Sequence, residues 1–114
     1  MKLFTKAQWD RLVANGSKTR YGEEIDFKPV VKLFTPWGSG TWLLTEVESE
    51  YPDIAFGLCD LGMGYPELGS VSISELASVK GPFGLGIERD LHFKATKTLS
   101  EYADEARKAE RIMV

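Results

Sequence analysis

Between Leu33 and Val79 the chain has neither lysine nor arginine, yet it carries Glu46, Glu48, Glu50, Asp53, Asp60, Glu67 and Glu75. Such a segment cannot grip a phosphate backbone, because nucleic-acid affinity comes largely from cations that neutralise phosphates. Cysteine and histidine are nearly missing as well, with Cys59 and His92 each the sole example. A single cysteine excludes an intrachain disulfide and fits a reducing compartment, so the cytoplasm is the expected location. Zinc centres draw three or four ligands from His, Cys and carboxylates, so neither a zinc finger nor a typical catalytic zinc site is expected. No apolar run nears the roughly 20 residues that span a bilayer, and Met1 to Asn15 reads as a capped helix rather than a signal peptide.

What remains is ordinary globular composition: 114 residues, 43% hydrophobic and 27% charged, which suits one core of roughly 100 to 150 residues. Charge is distributed unevenly. Met1–Lys32 has seven bases against four acids (+3), Leu33–Val79 seven acids (−7), and Lys80–Val114 seven bases against six acids (+1), giving the net −3.

Three capping boxes mark helix starts: Thr5 with Gln8, Ser72 with Glu75, and Thr98 with Glu101. The first predicts a helix from Lys6, stapled by Phe4 on Trp9 and stopped after two to three turns by Gly16, with Ser17–Lys28 as a loop. The second predicts a short helix over Ile73–Val79. The third predicts a C-terminal helix with an Ala-rich stripe (Leu99, Tyr102, Ala103, Ala106, Ala109) that buries little area, appended at 98–114 to a domain spanning 1–97. Strands are predicted at Pro29–Thr35, Thr41–Glu48, Ile54–Asp60, Leu68–Ile73 and Ile87–Lys94, separated by Gly- and Pro-containing turns. The fold class is therefore α+β: an antiparallel sheet of about five strands with an N-terminal helix, a short helix after the fourth strand, and a C-terminal helix.

Residue types that carry chemistry are sparse. Gly81–Gly86 is Gly-rich but lacks the Gly-Lys-Ser/Thr ending of a P-loop and precedes a strand, so it reads as a turn. Cys59 with His92 as its base is a formal nucleophilic pair, yet Cys59 sits in an apolar strand where a buried thiol is inert. No catalytic residue, metal ligand set or cofactor site is assigned. Glu46, Glu48 and Glu50 fall at spacing two and would share one face of a continuous strand. With Asp53 they read either as hard-metal donors or, preferably, as a solvated face. Arg89 alternates with Ile87, Leu91 and Phe93, so its guanidinium needs an acceptor. Glu67 and Glu75 are the candidates for an ion pair, with an anion site as the other reading. Trp37 and Trp42, with Phe34, Tyr51 and Tyr65, raise an aromatic platform for single-stranded nucleic acid, served by the cations Lys2, Lys6, Arg11, Lys18, Arg20, Lys28 and Lys32.

The opening MKLFTK, the hairpin VVKLFTPWGSGTWLLTE, the strand AFGLCDLG and the stretch ELGSVSISELASVKGPFGLGIERDLHFK together resemble the DUF2958 family. That resemblance implies a small bacterial protein of a kind often met on plasmids and other mobile elements. It brings no catalytic or binding residues with it. The expected function is a noncatalytic accessory or interaction protein that presents its acidic middle, with Glu46, Glu48, Glu50, Asp53, Trp37 and Trp42, to a basic protein surface. Single-stranded nucleic-acid binding, and an anion binder or enzyme centred on Arg89, are the alternatives.

Overall fold

A computed structural model describes residues 3–20, 22 and 24–114; Lys2, counted among the basic N-terminal residues, lies outside them. The order is α1 (Lys6–Arg20), β1 (Val31–Phe34), β2 (Thr41–Val47), β3 (Ile54–Asp60), β4 (Glu67–Ser72), α2 (Ile73–Ser78), β5 (Glu88–Arg89) and α3 (Leu99–Ala109). The strands form one antiparallel sheet in the order β4-β3-β2-β1-β5. The architecture is α+β, with the helices where the capping boxes place them. Thr5 and Gln8 exchange bonds of 2.9 and 3.1 Å, Ser72 Oγ accepts from Glu75 N–H, and Thr98 and Glu101 close both halves of their box. Phe4 meets Trp9 with ring centroids 6.0 Å apart, as the staple requires.

α1 does not stop at Gly16. A Cβ there would sit 1.8 Å from the Val47 carbonyl oxygen, so this glycine is selected for close approach of helix to strand rather than for ending the helix. The four residues after it, read as loop, stay helical. Asn15, buried beside it, donates its side-chain N–H to the Thr45 carbonyl at 2.8 Å.

Thr45 is taken out of the strand pairing by a bulge. β2 pairs with β3 as Leu44↔Gly57 and then Glu46↔Phe56, leaving Thr45 as the extra residue. An extra residue reverses the side-chain alternation beyond it. Trp42, Leu44 and Val47 therefore all join the core under α1 and α2, with Leu12, Val31, Leu33, Ala55, Leu76 and Ile87. Without the bulge, Glu46 would follow Leu44 into that core and Val47 would leave it. The opposite face packs Leu43 and Leu58 against Leu99, Tyr102, Ala103 and Ala106 of α3.

β5 is far shorter than the predicted Ile87–Lys94. Asp90 accepts the His92 amide at 2.9 Å and turns the chain, so Leu91 is exposed and Phe93 joins the α3 cluster rather than the Ile87 side. The alternation read from the sequence fails because an Asx turn captures the backbone.

Candidate functional site

Glu46, Glu48 and Glu50 come together, although not as one face of a strand. β2 ends at Val47 and the chain bends at Ser49 and Glu50. Glu46 pairs with Phe56, and Glu48 N–H bonds the Ile54 carbonyl, so both point to the Ile54–Phe56 side. All three glutamates line an open cleft of about 610 Å³. Its other walls are Gly16, Thr19 and Arg20 of α1, Ile54, Ala55 and Phe56 of β3, and Ser70 of β4.

Arg20 pairs with Glu50 at 3.2 Å. Both side chains are more than half exposed, so the contact orients Arg20 more than it stabilises the fold. Among the described residues three carboxylates against one guanidinium leave the cleft anionic, and Ile54, Ala55 and Phe56 give it an apolar wall. That combination suits a cation on an aliphatic stem, the chemistry of lysine and arginine side chains. Thr19 had no role in the sequence reading and Arg20 only that of a nucleic-acid cation; both were placed in a loop, and only the longer α1 brings them to the glutamates.

The remaining candidates lie elsewhere. Asp53 caps the start of α2, accepting from Ser74 N–H at 2.9 Å and from the hydroxyls of Ser72 and Ser74. The Ser72 hydrogen bond, with those of Ser74, holds its carboxyl below the usual range. Trp42 is 5% exposed and belongs to the core. Trp37 lies across Gly81, where a Cβ would meet the indole at 2.3 Å. Trp42 is thus a packing residue, whereas Trp37 is half-buried, with its indole against Gly81. Among the described residues no three His, Cys, Asp or Glu side chains are grouped to hold a metal ion.

Arg89 pairs with Leu33 on β1 at one edge of the sheet, while Glu67 stands on β4 at the other. Four strand spacings, about 19 Å, separate those edges, so the two cannot form an ion pair. Around Arg89 the surface is shallow and includes Glu88 and Asp90, which oppose an anion. Cys59 and His92 are similarly apart, the first on β3 and the second beyond β5. Burial pushes the Cys59 thiol up to about 11, so it stays protonated at neutral pH.

Sequence-distant Asp60 does structural work. It is 2% exposed and accepts Gly62 N–H at 2.8 Å and Ile112 N–H at 2.9 Å, tying the end of β3 to the residues after α3. Of the seven acids in the base-free stretch, Asp53 and Asp60 are thus committed to backbone amides and three glutamates to the cleft.

The fold and cleft define a small α+β domain with a bulged central strand and an anionic groove. The chain belongs to the family described as Protein of unknown function (DUF2958), whose profile matches residues 3–113. Comparison with curated proteins and with solved structures finds no match to either. No helix among the described residues is long and apolar enough to cross a membrane.

Proposed function

We propose that this protein is a noncatalytic interaction module that holds a basic segment of a partner protein in the cleft formed by Glu46, Glu48 and Glu50. The observation that carries the reading is the convergence of those carboxylates beside an apolar wall and the C-terminal end of α1. Its single cysteine fits the cytoplasm as its setting, and its family associates it with the biology of plasmids and other mobile elements. Arg20 acts as an internal stand-in for the partner: its guanidinium occupies Glu50 and gives way to an incoming lysine or arginine.

The test is fluorescence anisotropy with a labelled Lys/Arg-rich peptide, run beside a labelled single-stranded oligonucleotide. Peptide binding should weaken steeply with salt and fall about tenfold or more, roughly 1.4 kcal/mol, when Glu46, Glu48 and Glu50 are reversed to Lys. Undiminished peptide binding by the reversed protein would sink the cleft, and preferential binding of the oligonucleotide would favour the nucleic-acid alternative.

A further inference from the structure

The two edges of the sheet are built differently. β5 has two residues, both charged, and ends in the Asp90 turn, which guards it in the manner of natural sheet edges. β4 runs for six residues without lysine, arginine or proline, and its only charge is Glu67 at the start. Among the described residues no strand pairs with its outer side. Ile73 N–H bonds the Asp53 carbonyl at 2.7 Å, continuing the unbroken β3–β4 register. Antiparallel partners alternate, so Glu67, Gly69 and Val71 direct their backbone groups at β3, and those of Leu68 and Ser70 point outward with the Ser72 N–H, while the Ser72 carbonyl, at the N-cap, accepts the first bond of α2.

We propose that β4 pairs antiparallel with β4 of a second copy of this chain, about a twofold axis at Ser70. In this register Ser70 faces Ser70 of the second copy and Leu68 faces Ser72. The backbone groups of Ser70, the Ser72 N–H and the Leu68 carbonyl then have partners, about four hydrogen bonds over the three facing pairs. Gly69 meets Val71 of the second copy in the close, non-hydrogen-bonded position. The space beside Gly69 is open, with nothing within 4 Å of a Cβ built there, and the isopropyl group of Val71 fits it. The two Glu67 side chains fall six residues apart along the ladder, about 20 Å, and do not repel at close range. A strand rich in cations would find no counter-charge on β4 beyond Glu67, so a second copy fits this edge better than the basic segment assigned to the cleft.

Sedimentation equilibrium of the intact chain over a range of concentrations tests this. Mass should rise from 12.7 kDa towards twice that value, and the Ser70 and Ser72 amides should exchange more slowly as it does. Ser70→Lys, at an exposed position, places two ammonium groups face to face and should weaken dimerisation tenfold or more, while mixing it with Ser70→Glu should restore a dimer. A monomer at every concentration overturns the proposal. So does a dimer indifferent to Ser70→Lys. Amide exchange on the unaltered protein decides the matter without any variant: concentration-independent exchange at Ser70 and Ser72 overturns it too.

Discussion

The two faces of this sheet are held by different means. Under α1 and α2 lies a broad core of large side chains, among them Leu12, Leu33, Trp42 and Leu44. Under α3 the contact is narrower: Leu43 and Leu58 meet Leu99, Tyr102, Ala103 and Ala106, with Phe93 and Ile112 at the margin. Alanine buries too little apolar area to fasten a helix strongly. Hydrogen bonds at both ends of α3 supplement it: Leu99 N–H to the Phe27 carbonyl, Ser100 to Asp26, and Ile112 N–H to Asp60. The first face is secured by burial, whereas the second depends on polar contacts made with residues far away in sequence. A helix fastened that way should open as a separate unit before the rest unfolds, which local hydrogen exchange would read.

The tryptophans make this contrast measurable, because Trp9, Trp37 and Trp42 all pack on the first face. Leu12→Ala should produce the largest loss, about 3 kcal/mol, from a fully buried site. In urea, tryptophan fluorescence and helical circular dichroism should both shift. Gly16→Ala should destabilise by about 2 kcal/mol despite the better helix propensity of alanine, since the new methyl meets the Val47 carbonyl; a stabilised variant would refute the close-approach reading.

On the second face the probes should part. Asp60→Ala leaves the Gly62 and Ile112 amides unpartnered at a cost of about 1 to 3 kcal/mol. Hydrogen exchange should then speed up in α3 more than in α1, and equal acceleration in both would erase the distinction between the faces. Tyr102→Phe removes the acceptor of Thr96 N–H and should cost about 1 kcal/mol, again felt first in α3.

The smallest effect is on pH dependence. Asp26 is held below the usual carboxylate range chiefly by its hydrogen bond from Ser100, and Glu101 by those from the Thr98 backbone and side chain. A carboxyl lowered by folding contributes stability that is complete above its unfolded value and is lost as pH falls through its folded value. Acidification through about pH 4 and below should therefore loosen the start of α3, as read by amide exchange at Ser100 and Glu101. Asp26→Asn should reduce that sensitivity. An unchanged acid profile would remove Asp26 from this role.

Local signals were legible in the chain wherever one residue acts on near neighbours. The capping boxes at Thr5, Ser72 and Thr98 start helices because each hydroxyl reaches an amide three residues on. Ile54–Asp60 is the strand that its apolar run and flanking turns describe. Misreadings arose where a distant group decided the outcome. Gly16 resembles a helix stop until Val47 is placed against it, and Arg89 invites Glu67 until the strand order puts them at opposite edges.

The α+β class, the helix starts, the net charge of each segment and the want of bases from Leu33 to Val79 follow from the order of residues alone. What the acids in that stretch do depends on how the folded chain places them. The Thr45 bulge, with its buried carbonyl bonded by Asn15, turns Val47 into the core and Glu46 and Glu48 out to the cleft. Side-chain alternation along a strand is a local rule, but a single extra residue reverses it, and whether that residue is accommodated depends on a partner 30 positions away.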